Sequence, residues 1–250
     1  MSHLAKSSHV ASALSVVDIL SVLYTGLANI SKDNLNANDR DIVILSKGHA
    51  ASALYSILAL QDIFPIDWLS EYCKNGSYLG GHVTFGSVPG VELSTGSLGH
   101  GLPYGLGIAM SRKRSNTNGR VFVVMSDGEC NEGTTWESAM LANHHKLDNL
   151  VVIIDRNKIQ SLASTESTLK LEPLMDKWEA FGWETQSISG HNYDEISKSL
   201  QNQIGPKCLI ANTTKGKGVT FMENSVLWHY KSPSETEIET AFQQLNENYQ

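Results

Sequence analysis

The chain is 250 residues long, 41% hydrophobic and 18% charged, with a formal charge of −7. This length can bury a sizeable core as a single α/β domain over residues 1–250, and an acidic balance with no basic cluster argues against nucleic acid as a main partner. No apolar stretch reads as long enough to span a membrane, MSHLAKSSHVAS lacks the apolar region of a signal peptide, and three cysteines without metal spacing fit reduced thiols in the cytoplasm.

From Ala13, the residues Leu14, Val17, Ile19, Leu20 and Leu23 form a helical stripe, which puts His9 just before a helix N-terminus. A histidine there can donate to a substrate oxygen or simply stand in solvent. Ile42 to Leu45 reads as a short strand, followed by Lys47-Gly48-His49 and an apolar helix from Ala50 to Leu60. Between a strand's carboxyl end and a helix's amino end, His49 can face an anion or cap the helix. A helix is expected over Ile66 to Lys74. The glycine-densest stretch comes next, with Gly81-His82 and the run Thr95-Gly96-Ser97-Leu98-Gly99-His100-Gly101. Irregular loops of this kind commonly carry function. Gly101 to Met110 reads as a small-residue helix, and Arg112 to Arg120 as a solvated loop.

Val121 to Met125 is β-branched and apolar, as in a buried strand. Ser126-Asp127-Gly128 makes a polar turn, Glu132 and Gly133 lead into a helix over Thr134 to Lys146, and Leu150 to Ile154 is a second strand ending in Asp155-Arg156-Asn157. With parallel strands, both polar turns fall at the end of the sheet where open α/β sheets bind ligands. After Gln160 a surface loop is expected near the ligand. A helix and strand follow over Met175 to Ser189, with Trp178, Phe181 and Trp183 in the core. The remaining expectations are a helix after Gly190, a last strand from Lys207, and a capping box of Ser234 with Glu237 opening an exposed C-terminal helix. Lys215-Gly216-Lys217-Gly218 lacks P-loop spacing.

Asp127 and Asn157 would meet at one sheet edge. One carboxylate, one amide oxygen and one or two main-chain carbonyls make a hard oxygen site, suited to Mg²⁺ or Ca²⁺ rather than zinc. So little negative charge does not hold the metal alone. Mg²⁺ usually completes its shell with water and ligand phosphates, so a diphosphate is expected between metal and protein. Gly128 lets backbone approach it closely, and the adjacent helix N-terminus favours anions.

Asp127-Gly128, Asn131-Glu132-Gly133 and Asn157 resemble the thiamine-diphosphate signature. The wider set resembles transketolase in its short, N-terminal-subunit form: Ser8-His9, Lys47-Gly48-His49, Gly81-His82, Thr95 to Gly101, Thr213 to Asn224 and Trp228-His229. The resemblance implies a three-layer α/β/α fold with a mostly parallel sheet, and thiamine diphosphate with Mg²⁺ or Ca²⁺ as cofactors. It implies cofactor contacts at His49, Gly96, Leu98, Ser126, Asp127, Gly128, Asn157, Ile159 and His229, with Asp127, Asn157 and Ile159 also on the metal. The implied catalytic set is His9, His49, His82, His229 and Glu132. His49 and His229 would serve the diphosphate and reacting carbonyl, and His9 and His82 the donor-sugar hydroxyls. Glu132 matches a glutamate that lies near the partner's cofactor glutamate, and Glu137 a structural or interface position. Ser126, Val10, Val83 and His100 depart from the family pattern, which hints at a specialised sugar.

The resemblance covers nearly all of the chain but only the diphosphate-binding half of a full-length enzyme. In that family the groups that activate the aminopyrimidine and grip the sugar phosphate lie on a second domain. The chain is therefore expected to be one subunit of a split cytoplasmic transketolase, active only with a separate C-terminal, pyrimidine-binding subunit in an α₂β₂ heterotetramer. The reaction implied is transfer of a two-carbon ketol unit from a ketose or ketose phosphate to an aldose. Three other readings stay open: an acyl transfer on the same cofactor, as in deoxyxylulose-phosphate synthase or a 2-oxoacid dehydrogenase component; a non-catalytic assembly protein; and a magnesium-dependent phosphate enzyme without thiamine.

Overall fold

In the computed structural model, which describes residues 1–248, five strands form one wholly parallel sheet: β1 (Ile42–Leu45), β2 (Val121–Ser126), β3 (Leu150–Arg156), β4 (Glu184–Ser189) and β5 (Lys207–Asn212), in the order β1-β2-β3-β5-β4. Every residue of β2 and β3 is buried. Strands covered on both faces need continuous apolar runs, which VFVVM and LVVII supply. The polar ETQSIS of β4 suits its place at the sheet edge.

Among the described residues, nine α-helices flank the sheet: α1 (Ser2–Ala5), α2 (Val10–Val22), α3 (Ala51–Leu60), α4 (Gly101–Ser115), α5 (Gly133–His144), α6 (Thr165–Thr168), α7 (Leu174–Ala180), α8 (Tyr193–Ser199) and α9 (Glu235–Asn248). Alternate strand residues divide the core in two. Val43, Phe122, Val124, Ile153 and Leu209 pack with α2, α3 and α8 on one face. Val121, Val123, Val152, Ile154 and Ile210 pack with α4, α5 and α7 on the other. This is the expected three-layer α/β/α arrangement, and Trp178 and Trp183 lie in its second core.

Four local expectations need correction. The segment after Pro65 is a 3-10 turn over Ile66–Glu71 with no fully buried residue; its one large aromatic, Trp68, is half-buried at the border of the first core, stacked between Phe64 and Tyr78. Arg112 to Arg120 is not a solvated loop throughout. α4 runs on to Ser115, and Arg112 is buried, donating to the carbonyls of Asn38 and Arg120. The C-terminal helix is not wholly exposed: its capping box forms, but Ala241 is buried against Ala11 and Trp228. Finally, Val10–Leu27 does reach spanning length, with a mean hydropathy of 1.8. That apolarity belongs to the core: 61% of the run is buried, and its one charged residue, Asp18, is bonded to His191.

Candidate functional site

β2 and β3 are in register with Ser126 opposite Asp155. Asp127 therefore leaves the sheet beside Asn157, at the strands' carboxyl ends, as two adjoining parallel strands require. The Lys158 amide closes the gap by donating to Asp127 Oδ2 at 2.7 Å. Arg156 Nη1 reaches the same oxygen at 3.0 Å, and the Gly128 amide gives 2.8 Å to Oδ1. Burial raises the Asp127 carboxyl above its ordinary range, with Arg156 opposing. Asn157 Nδ2 donates to Ser15 Oγ at 3.2 Å and to Asp155 at 3.4 Å. These two acceptors fix the amide's orientation and leave Oδ1, which accepts from the Ile159 amide at 3.1 Å, as a further ligand atom.

Four histidines arrive at this edge from four separate segments. His9 stands at the N-cap of α2, with the left-handed φ of 71° that few non-glycine residues adopt. Its Nδ1 lies 2.9 Å from Ser8 Oγ. His49 occupies the 3-10 turn between β1 and α3, His82 the glycine-rich stretch, and His229 the turn Val226–His229 before α9. The His9 ring lies 5.3 Å from that of His49, 5.9 Å from His82 and 5.0 Å from His229, and His49 and His229 are 5.9 Å apart. Burial, then neighbouring cationic groups, lower these bases: His9 to about 4, His229 to about 3, and His49 well below its ordinary value. At neutral pH these three are uncharged, so each ring offers one donor and one acceptor.

The four imidazoles line a cavity of about 250 Å³ together with Gly96, Leu98, Ser126, Asp127, Gly128, Asn157 and Ile159. Every residue expected to touch cofactor or metal is thus on its wall. Glu132 is not. It is exposed at the start of α5, outside the cavity, and His100 likewise turns back on the Leu98 carbonyl at 3.0 Å. Cys130 is buried, and its thiol is pushed up by burial.

Four buried side chains, Lys47, Asp155, Glu129 and Lys215, complete the site and were not assigned from the sequence. Lys47 pairs with Asp155, both side chains being 0% exposed, and Ser15 and Thr213 also donate to that carboxylate. Burial alone would raise Asp155, but Lys47 and these hydrogen bonds outweigh it and hold the acid below its usual range. Glu129 accepts from Ser46 Oγ, from the Gly99 amide at 3.0 Å and from the Ser126 amide at 3.0 Å. It thereby joins the loops that carry Lys47, Leu98 and Asp127. Lys215 is 1% exposed, and its ammonium lies 2.6 Å from His229 Nδ1 and 3.3 Å from the Ile159 carbonyl. An ammonium only donates, so His229 Nδ1 accepts and its proton is on Nε2.

No carboxylate pairs with Lys215 among the described residues, and burial followed by Lys47 lowers its pKa to about 8. Asp127 and Asp155 offset the charge only in part, and a buried ammonium without a paired carboxylate is costly unless an anion arrives. Beside it, Gly128 leaves room that a side chain would narrow: a Cβ there would come within 3.3 Å of Gln160. Among the described residues no three His, Cys, Asp or Glu side chains gather as a metal cluster. The Asp127, Asn157 and Ile159 oxygens suit a hard cation only if ligand phosphates complete its shell. A metal-bound diphosphate fits both halves of this description.

Comparison with known proteins points the same way. Residues 2–249 match the family described as transketolase, thiamine diphosphate binding domain. An apulose-4-phosphate transketolase subunit from Actinobacillus succinogenes is 42% identical over 242 residues, covering 96% of this chain and 88% of that protein. A 6-deoxy-6-sulfo-D-fructose transketolase subunit from a Clostridium species is 38% identical over 241 residues, covering 95% and 88%. Among solved structures, the transketolase of Campylobacter jejuni superposes with a TM-score of 0.92 at 32% identity. It takes in 98% of this chain but only 40% of its own, so this chain spans about two-fifths of that enzyme. Sequence and fold agree along nearly the whole length, and the chain belongs to the transketolase thiamine-diphosphate-binding domain family.

Proposed function

We propose that this chain is the cofactor-binding subunit of a split transketolase, holding thiamine diphosphate and Mg²⁺ and transferring a two-carbon ketol unit from a ketose to an aldose with the help of a second chain. The observation that carries this reading is Lys215, a buried cation in no direct ion pair among the described residues, set between neutral imidazoles and the Asp127–Asn157 edge. Relatives that this chain matches over most of their length are named as transketolase subunits.

Asp127, the Asn157 amide oxygen and the Ile159 carbonyl would hold the metal, and Lys215, His49, Ser126 and the Gly128 backbone would receive the diphosphate. Gly96 and Leu98 would meet the rest of the cofactor. When bound, thiamine diphosphate supplies the carbanion nucleophile and electron sink for breaking a carbon–carbon bond. The chain's own residues orient the sugar and move protons. His9 and His82 donate to hydroxyls of the donor sugar, while His229 holds or relays a proton at the reacting oxygen from its Nε2. Glu132, outside the cavity, is free to face the partner.

Among the described residues, the cavity wall carries imidazoles, Lys215 and Tyr230 but no arginine. The named relatives act on a phosphorylated and a sulfonated ketose. An anionic ketose suits this chain too, with its charged end gripped by the partner. An α₂β₂ assembly in the cytoplasm completes the proposal.

The test is reconstitution. The chain alone should show no ketol transfer, and mixing it with the pyrimidine-binding subunit should restore turnover on ketose phosphates but not on pyruvate. Asp127→Ala should abolish metal-dependent uptake of thiamine diphosphate in calorimetry. Full turnover by the lone chain, or unchanged uptake by the variant, would refute the reading.

A further inference from the structure

His191 is a histidine that the ketol chemistry above leaves unused. It sits in the turn between β4 and α8, against the segment that leaves β5. The two segments touch backbone to backbone: the Gly190 amide donates to the Asn212 carbonyl at 2.8 Å, and a Cβ on Gly190 would fall 2.3 Å from Thr213 Cγ2. Only glycine permits that approach. The His191 ring is then held at both nitrogens. Nδ1 lies 2.6 Å from Asp18 Oδ2 on α2, and Nε2 lies 2.8 Å from the backbone nitrogen of Thr214. A peptide N–H can only donate, so Nε2 accepts and the ring proton resides on Nδ1, directed at Asp18. Tyr193 donates to the other Asp18 oxygen at 3.1 Å and so fixes the carboxylate. The His191 side chain is 15% exposed and that of Asp18 7%.

The residue after Thr214 is Lys215. Its loop is fastened on either side by Thr213, whose hydroxyl donates to Asp155, and by Gly216, whose amide donates to the Ala11 carbonyl at 2.9 Å. Between them, the Thr214 amide depends on an imidazole.

We propose that His191, backed by Asp18, is a positioning residue for Lys215: its neutral Nδ1–H ring latches the Thr214 peptide and so sets the direction in which the buried ammonium points. The latch stands on this geometry alone, and its effect on cofactor binding rests on the function proposed above. Sequence offered no distance to Lys215, which is why Gly190-His191-Asn192 reads there only as the start of a helix.

The experiment uses the full chain with ¹⁵N-labelled histidine. Near neutral pH, the His191 ring should show a protonated Nδ1 and a bare Nε2; the opposite tautomer would overturn the latch. Two variants separate the two ends of the ring. His191→Asn keeps a donor for Asp18 and loses the acceptor, whereas His191→Gln places an oxygen near the Nε2 position. The Asn variant should exchange its Thr214 amide hydrogen faster and bind magnesium thiamine diphosphate roughly tenfold more weakly, the scale of one hydrogen bond. The Gln variant should restore both. Unchanged exchange in the Asn variant, or identical behaviour of the two variants, would overturn the latch. Faster exchange with unchanged cofactor affinity would overturn the positioning of Lys215. If the Asn variant does not fold, the wild-type ring measurement decides. A wild-type chain that shows the expected tautomer but takes up no magnesium thiamine diphosphate, alone or with its partner, would overturn the proposed function and leave the latch standing.

Discussion

The backbone N–H of His9 donates to the carbonyl oxygen of His229 at 3.0 Å. Two imidazoles from opposite ends of the chain, 5.0 Å apart, are therefore spaced by main chain rather than by their rings. The ring of His9 can be removed without releasing that bond. His9→Asn, which tolerates the left-handed backbone, should lower kcat/KM of the assembled enzyme about a hundredfold, as loss of a proton-transfer or orienting group does. Cofactor affinity should be unchanged in calorimetry. An equal fall in both quantities would place His9 on the cofactor instead.

Lys215 makes a prediction of opposite signs. Lys215→Met removes a buried charge that no carboxylate among the described residues pairs with directly and that Asp127 and Asp155 offset only in part, so the free subunit should melt higher. The same variant should bind magnesium thiamine diphosphate at least tenfold more weakly, since a charge-assisted contact is lost. Higher melting with unchanged uptake would show that the ammonium faces no anion.

Lys47 and Asp155 are the contrasting case. Each is buried and each answers the other. Lys47→Met leaves Asp155 without its ammonium and should destabilise the subunit by about 3–5 kcal/mol in urea unfolding. Adding Asp155→Asn should recover a large part of that loss. Additive losses in the double variant would mean that the pair is not coupled.

The imidazoles also set an acid limit on stability. The folded state holds His9 near 4 and His229 near 3, while an unfolded chain returns both to 6.5. Between about pH 4 and 6.5 the unfolded chain binds more protons, so their contribution is complete above pH 6.5 and is lost as pH falls through that window. Asp127 and Glu129, raised by burial, bind protons in the folded state and oppose the trend. The comparison that isolates the histidines is wild type against the double variant His9→Asn with His229→Asn. The difference between their urea midpoints should be constant above pH 7 and should shrink or reverse below 6. A constant difference throughout would show that the two rings are freely hydrated.

Legibility from sequence followed the physics of each segment. β2 and β3 could be read because strands buried on both faces must be apolar throughout, and their polar ends then had to share one edge. The four histidines were legible because each stands in a short motif that resembles the family's, His49 and His82 directly after glycine, His9 after Ser8 and His229 after Trp228. Lys47, Glu129 and Lys215 were not, since charged residues are normally exposed and only tertiary contacts show what each one faces. Arg112 misled for the same reason: a run of basic and polar residues resembles solvent-facing loop, yet its guanidinium reaches backbone carbonyls that no local pattern announces. Asp155 lay in plain view at the end of β3, but its four donors come from four different parts of the chain.

The apolarity of α2 bears on how the polypeptide is made. The Val10–Leu27 run leaves the ribosome early, whereas α8, which helps to cover it, and His191, which bonds to its single acid, emerge much later. Synthesis halted before that point would leave a membrane-like segment bare in water, an invitation to chaperones and to self-association. Production of the folded polypeptide should therefore be sensitive to translational pauses between α2 and α8, in codons whose residues touch neither cofactor nor sugar as well as in those that do.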